Sequence, residues 1–109
     1  MSDHRPVSAV PDDYAEFVLD LVSRIPAGRV STYGVLAEIA RAETGRGSAR
    51  TVGRVLSLYG GGVPWWRVCA AGGRLVVHKS ERQAEHLRAE GVVLSRAGRV
   101  PMGEVGWPD

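Results

Sequence analysis

Glycine and proline residues occur at several points in this chain of 109 residues, and they restrict the fold because they limit the length of each helix. Pro26-Ala27-Gly28, a glycine-bearing turn over residues 43–47 and Gly60-Gly61-Gly62 each end a stretch of apolar residues at helical spacing. The length predicts one domain with a single core. The sequence therefore favours a small α/β domain that is mostly helical, built from short helices joined by tight turns.

The first three helices are each predicted from a capping residue followed by an apolar face. Asp12 can cap the first helix, Ser31 or Thr32 the second, and Ser48 the third. The apolar residues are Tyr14, Phe17, Val18, Leu21, Val22 and Ile25 in the first helix, Val35, Leu36, Ile39 and Ala40 in the second, and Val52, Val55, Leu56 and Tyr59 in the third. Two short helices joined by a glycine turn, the second with arginines on its outer face, are typical of a helix-turn-helix.

The second half of the chain is predicted to contain a hairpin and a fourth helix. The hairpin turns about Gly72-Gly73, between short strands within residues 67–77. Ser80 and Gln83 have the spacing of a capping box, which would begin a helix that runs to about Ala89.

Composition indicates the partners and the compartment. Lys79 is the only lysine among 14 Lys and Arg residues, and arginine suits contacts with phosphates and bases, although a GC-rich genome would give the same bias.

The single cysteine, Cys69, excludes an internal disulfide and a cysteine-based zinc site. No targeting segment and no apolar run of about 20 residues is found. We expect a cytoplasmic monomer that needs no cofactor, metal or membrane, with a flexible tail over 1–11, the domain over 12–100 and an extension over 101–109.

The motif Val63-Pro64-Trp65-Trp66-Arg67-Val68 is the most informative about function. It resembles the Pro-Cys-His-Arg-Val signature of the O6-alkylguanine-DNA alkyltransferases, with Trp65 at the position of the cysteine that takes the alkyl group. Residues 28–34, 49–54 and 88–92 are similar to further segments of that family in the same order. The chain therefore resembles the alkyltransferase-like proteins, which have a tryptophan at this position and bind alkylated DNA without repairing it.

The resemblance implies a winged-helix-like domain whose helix-turn-helix enters the minor groove and rotates O6-alkylguanine out of the duplex. Tyr33 matches the tyrosine that presses on the phosphate of the target nucleotide, and Arg50 matches the arginine that replaces the flipped base. The other DNA contacts expected are Ser31, Ser48, Thr51 and Arg54. The residues expected to form the lesion pocket are Pro64, Trp65, Trp66, Arg67 and Val68, with His78 or Lys79 contacting the base. Structural roles are the alternatives: a buried capping aromatic for Tyr33, a solvated helix face for Arg50 and a core tryptophan for Trp65.

The same motif predicts that the protein has no catalytic residue. An indole at position 65 cannot ionise as a thiol does. Trp66 stands where the enzymes have a histidine that relays the thiol proton toward a buried glutamate, so Glu90, which matches that glutamate, is expected to be structural. Cys69 has no neighbouring histidine in the sequence and is expected to be inert.

These expectations combine into a sensor of O6-alkylguanine in double-stranded DNA that marks the lesion for nucleotide excision repair proteins. A helix-turn-helix transcription regulator is the alternative, and it would prefer one sequence and ignore base damage. An active alkyltransferase would require a thiol at position 65. A domain whose pocket binds nothing is the remaining alternative.

Overall fold

The computed structural model describes residues 12–109, in which helices predominate. Its elements are α1 (Asp13–Ser23), β1 (Ser31–Thr32), α2 (Tyr33–Thr44), α3 (Ala49–Tyr59), β2 (Val68–Cys69), α4 (Ser80–Ala89) and α5 (Met102–Val105). The predicted tail over residues 1–11 lies outside the described residues. No helix within 12–109 is long and apolar enough to cross a membrane. The prediction of a small, mostly helical domain is confirmed.

The starts of the first three helices are fixed by side chains close in sequence. Asp12 Oδ1 accepts a hydrogen bond from the Ala15 amide at the start of α1 (2.8 Å). Thr32, rather than Ser31, caps α2. Ser48 caps α3 through a capping box with Thr51, in which each side chain accepts from the other residue's backbone amide. These contacts satisfy amides that have no partner inside the helix.

Two clusters of buried side chains form the core of the described part of the chain. The first joins α1, α2 and α3, and its fully buried members include Val18, Val22, Leu36 and Val52. The second lies between α4 and the C-terminal segment and consists of Val30, Cys69, Leu87, Val92 and Val100. Val68 belongs to the first cluster and Cys69 to the second, because successive residues of a strand point to opposite faces. Strand β2 therefore ties the two clusters together.

Strand β2 pairs with β1 in parallel, and the predicted hairpin about Gly72-Gly73 is wrong. The register aligns Ser31 with Val68 and Thr32 with Cys69. Gly72 and Gly73 have φ values of 74° and 82°, and the Ala70 amide donates to the Arg74 carbonyl (2.8 Å) across this turn, but residues 74–76 form no strand beside β2. The Gly73 carbonyl then accepts a hydrogen bond from the Val100 amide (2.9 Å), which attaches this turn to the C-terminal segment.

The predicted capping box of α4 is also wrong. Lys79 is the N-cap residue, and its side chain makes no capping hydrogen bond. The Gln83 side chain is fully buried instead: its Oε1 accepts from the Val76 amide (2.7 Å), and its Nε2 donates to the carbonyls of Trp66 (3.1 Å) and Val68 (2.9 Å). Gln83 therefore fixes α4 against the segment that holds the tryptophan motif.

The C-terminal segment returns to the centre of the fold. The Val30 amide donates to the Val105 carbonyl, and the Trp107 amide donates to the Val30 carbonyl, both at 2.9 Å. The Trp107 ring packs against the cluster formed by α1, α2 and α3. These contacts hold the C-terminal segment against Val30, the residue directly before β1.

Candidate nucleic-acid interface

The outer face of α3 presents two arginines to solvent. Arg50 and Arg54 are exposed and lie one helical turn apart, so they share a face. The opposite face buries Val52, Val55 and Leu56 against α1 and α2. Since no ion pair involving Arg50 or Arg54 occurs within residues 12–109, both guanidinium groups are available to an anionic partner.

Tyr33 is the first residue of α2, and its ring faces α3. A Cβ atom placed on Gly53 would lie 3.9 Å from the Tyr33 ring, so this glycine lets the two helices place the ring close to α3. Burial raises the pKa of the Tyr33 phenol, and Cys69 adds to the effect. The phenol is therefore neutral at physiological pH and sits half-buried beside the arginine-bearing helix.

The three hydroxyl residues predicted to contact DNA are already engaged or buried. Thr51 and Ser48 bond to each other's backbone, and Thr51 Oγ1 also lies 3.0 Å from the Tyr14 hydroxyl. Ser31 is fully buried in β1, and its Oγ has no hydrogen-bond partner among the described residues. The Ser31 side chain is therefore not on the surface where a DNA contact was expected, and Thr32 rather than Ser31 caps α2.

The tryptophan motif forms a single 3₁₀ turn directly before β2. The Arg67 amide donates to the Pro64 carbonyl (3.0 Å), which closes the turn over Trp65 and Trp66. The backbone at Gly60 runs close to the Trp65 side chain, since a Cβ placed on Gly60 would lie 3.7 Å from Trp65 Cβ. The turn therefore presents two half-buried indoles side by side, with ring centroids 6.0 Å apart and planes at 84°.

Cationic side chains from the start of α4 lie over the Trp65 ring. Lys79 Nζ is 5.0 Å from the ring centroid and Arg82 Cζ is 5.8 Å away. The His86 ring meets Trp65 edge-on, with centroids 5.9 Å apart. Of the two basic residues proposed from the sequence, Lys79 is thus the one placed over Trp65, whereas His78 is exposed on the turn before it.

Trp66 is held between a histidine and a carboxylate. Its ring stacks on His86, with centroids 4.0 Å apart and planes within 10°. Its Nε1–H donates to Glu90 Oε2 (2.9 Å). Trp66 therefore fills the space between the motif and α4, and its indole nitrogen serves as a hydrogen-bond donor to the glutamate.

Glu90 accepts hydrogen bonds from three parts of the chain. Besides Trp66, the donors are the Gly28 amide (3.1 Å) and the Arg67 guanidinium, whose Nη2 lies 2.6 Å from Oε2. Burial alone would raise the pKa of Glu90, but the hydrogen bonds from Arg67, Trp66 and Gly28 outweigh burial and lower it. Glu90 is therefore an ionised structural acceptor just past the end of α4, as its position in the sequence suggested.

Two residues assigned to the lesion pocket from the sequence lie behind it. The Arg67 guanidinium is occupied by Glu90 and by the Ile25 carbonyl, to which Nη1 donates (2.8 Å). Val68 is fully buried in the core. The expectation that Arg67 and Val68 lie on the pocket surface is therefore corrected. Arg67 supports the tryptophan turn through Glu90 and Ile25, and Val68 packs in the core beneath that turn.

Sequence reasoning did not assign Arg82, Gln83 or His86 to the site. Lys79, Arg82 and His86 are separated by three and four residues, which places them on one face of a helix. That spacing was readable from the sequence. Its relation to Trp65 was not, because only the tertiary fold brings this face of α4 against the motif.

A helix-turn-helix with a cationic outer face, joined through β1 and β2 to a Pro-Trp-Trp-Arg turn, defines a DNA-binding domain of the alkyltransferase class. Residues 13–92 match the family model described as 6-O-methylguanine DNA methyltransferase, DNA binding domain. The chain belongs to this family.

The relatives resemble it over most of their length. A DNA base-flipping protein of Vibrio parahaemolyticus is 33% identical over 100 residues, which cover 88% of this chain and 97% of the relative. A DNA base-flipping protein of Escherichia coli K12 is 34% identical, with 88% and 75% covered. Atl1 of S. pombe, in complex with damaged DNA containing O6-carboxymethylguanine, superposes with a TM-score of 0.72 and 30% identity over 92% of this chain and 99% of Atl1. The resemblance to alkyltransferase-like proteins is confirmed.

Proposed function

We propose that this protein binds double-stranded DNA containing O6-alkylguanine, rotates the lesion out of the duplex through the minor groove and holds it beside Trp65 without transferring the alkyl group. The observation that supports this proposal most is that the pairing of β1 with β2 joins the helix-turn-helix to the tryptophan turn. Thr32, which caps α2, pairs with Cys69, four residues after Trp65. The DNA-reading helices and the tryptophan turn are therefore held in one rigid arrangement.

Arg50 and Tyr33 have the surroundings that base rotation requires. Arg50 is exposed on α3 and has no ion-pair partner among residues 12–109, so its planar guanidinium can enter the base stack in place of the flipped guanine. Tyr33 is neutral and rests against α3, where a rigid ring can press on a phosphate without charge repulsion. These surroundings support the roles that the family resemblance implies for Arg50 and Tyr33.

Alkyl transfer is unsupported by the chemistry around the motif. The indole of Trp65 offers no thiolate, and the indole nitrogen of Trp66 donates its proton to Glu90 and has no basic lone pair to accept another. Burial raises the pKa of Cys69 to about 11, and its Sγ contacts Met102 Sδ at 3.8 Å. A buried thiol that does not ionise is a poor nucleophile.

A protein that marks a lesion without repairing it requires a downstream partner, and nucleotide excision repair proteins are the proposed ones. The names of the relatives, DNA base-flipping protein and Atl1 in complex with damaged DNA, agree with lesion recognition by such a chain. We expect this protein to act as a monomer in the cytoplasm.

The test is a fluorescence-anisotropy titration of two duplexes of identical sequence, one carrying a single O6-methylguanine and the other guanine. Preference for the damaged duplex in several sequence contexts is expected. Equal affinity for both duplexes, with strong dependence on the surrounding sequence, would instead indicate a helix-turn-helix regulator.

A further inference from the structure

The Trp65 ring has no hydrogen bond of its own to fix its orientation. Its indole N–H donates to no group in the described part of the chain, and the turn that carries it has no side-chain cap. Lys79 and Arg82 approach the ring from the start of α4, but both side chains are exposed. The orientation of Trp65 therefore depends mainly on the two half-buried rings beside it, Trp66 and His86.

Trp66 and His86 form one flat unit beside Trp65. Their rings are stacked, with centroids 4.0 Å apart and planes at 10°. Both rings meet Trp65 at nearly right angles, Trp66 at 84° and His86 at 80°, with centroids 6.0 Å and 5.9 Å away. Edge-to-face contacts of this kind are favourable and specify the relative tilt of two rings. The stacked pair is therefore placed to set the tilt of the Trp65 ring.

The stacked pair is anchored without help from Trp65. The Trp66 Nε1–H donates to Glu90 (2.9 Å), and Gln83, one turn before His86 on α4, donates to the Trp66 carbonyl (3.1 Å). Position 66 lacks the histidine of the alkyltransferase signature, and the imidazole beside the motif comes from α4 instead. Because both members of the pair are held in place, the pair can orient Trp65 rather than follow it.

Resting on the function proposed above, we infer that His86 is a positioning residue for lesion binding. Its flat ring, stacked on Trp66 and edge-on to Trp65, holds the Trp65 indole at the tilt at which a rotated guanine can pack against it. His86 itself does not touch the DNA. Holding a side chain in its binding orientation raises affinity, because less ordering is left to the binding step. The effect should therefore be limited to duplexes whose base is rotated out.

The test compares His86→Leu, which keeps the bulk of the side chain and loses the flat ring, with His86→Phe, which keeps a flat ring. Fluorescence anisotropy gives their affinities for two duplexes of the same sequence, one with a single O6-methylguanine and one with guanine. We expect His86→Leu to bind the damaged duplex about fivefold more weakly and the undamaged duplex unchanged, since one aromatic pair is lost. His86→Phe should bind as the unchanged protein does. Glu85→Ala, an exposed change on another face of α4, is the control and should alter neither affinity.

Circular dichroism of the tryptophan side chains measures the orientation of Trp65 without DNA. Two indoles with centroids 6.0 Å apart are close enough to couple, and the sign and size of their joint signal depend on the angle between the rings. The signal of this pair is the part of the spectrum that Trp65→Phe removes. We expect His86→Phe to keep this signal and His86→Leu to reduce it.

Two results with these variants would overturn the inference alone. The first is a His86→Leu protein with the lesion affinity and the indole signal of the unchanged protein. The second is a His86→Phe protein that binds the damaged duplex as weakly as His86→Leu does. Equal weakening on both duplexes would also overturn the inference, because His86 would then support DNA binding in general. Equal affinity of the unchanged protein for both duplexes would contradict the proposed function, and the indole signal would then show separately whether His86 orients Trp65.

Discussion

The two halves of the molecule are built by different kinds of contact. In residues 12–59, side chains within three residues of each helix start cap the helices, as with Asp12, Thr32 and Ser48. In residues 60–109, the structure depends on polar contacts that span long stretches of chain, such as Glu90 with Gly28, 62 residues apart. Helix α3 thus depends on local signals, whereas the tryptophan turn depends on long-range contacts.

This difference means that the surface of the tryptophan turn and the supports of that turn come from different parts of the chain. Glu90, Arg67 and Gln83 hold the tryptophan turn from behind, so Trp65 and Trp66 take their positions without side-chain caps of their own. The two indoles therefore form the surface of the turn, and Glu90, Arg67 and Gln83 form its supports.

Removing the long-range acceptor should have the largest effect. Glu90→Ala leaves the Arg67 guanidinium largely buried without its carboxylate, and we expect the free energy of unfolding to fall by about 3 kcal/mol. Urea denaturation measures this, with Glu85→Ala, an exposed change on α4, as the control. A loss no larger than that of the control would mean that the second half does not depend on Glu90.

The same residue predicts how stability changes with pH. The folded pKa of Glu90 lies below the ordinary value of about 4.3. Its contribution is therefore complete above that value and is lost as the pH falls through the folded pKa. The difference in unfolding free energy between the unchanged protein and Glu90→Gln should be constant near neutral pH and shrink below about pH 4. A difference that stays constant to pH 3 would contradict this.

Gln83→Ala should have the next largest effect, because it leaves the Val76 amide and the carbonyls of Trp66 and Val68 without their partner. We expect a loss of about 2 kcal/mol in unfolding free energy. We also expect weaker binding to damaged DNA, since α4 would no longer be fixed against the tryptophan turn. Unchanged lesion affinity in a folded Gln83→Ala protein would show that lesion binding does not depend on the contacts between Gln83 and the tryptophan turn.

On the helical side, Arg50→Ala should affect binding and leave stability alone. Loss of the stacking guanidinium is expected to weaken binding to a damaged duplex about tenfold, more than a lost phosphate contact would. Arg24→Ala, an exposed arginine at the end of α1, is the control. An equal loss of affinity for damaged and undamaged duplexes would indicate that Arg50 contacts a phosphate and does not enter the base stack.

A local cap should give the smallest change. Ser48→Ala removes the acceptor for the Thr51 amide, and we expect a loss of about 1 kcal/mol in unfolding free energy. Ser57→Ala, an exposed serine of the same helix, should be close to neutral. If Ser48→Ala lowered the free energy of unfolding as much as Glu90→Ala does, the contrast between local and long-range support would be contradicted.

The same contrast between local and long-range contacts determines which parts of the structure could be predicted from the sequence. The helices α1 to α3 and their caps follow from signals a few residues apart, so they were predictable. The pairing of Val68 with Ser31 was not, because its partner is 37 residues away and Gly72-Gly73 gave a competing local signal for a hairpin. Gln83 shows the same limit: its spacing from Ser80 suggested a cap, but burial against the Trp66 and Val68 carbonyls decided its role.

Recognition without repair is tested most directly by following the alkyl group itself. The protein and its Trp65→Cys variant would each be incubated in excess with a duplex carrying O6-methylguanine, followed by intact-mass spectrometry of the protein and base analysis of the DNA. We expect the unchanged protein to form the complex, gain no mass and leave the methylated base intact. The variant should behave in the same way, because Trp66 cannot relay a proton to Glu90 and the His86 imidazole near the new thiol is stacked on the Trp66 ring. A gain of one methyl group by the unchanged protein would contradict the central claim, and a gain by the variant alone would contradict the role assigned to Trp66.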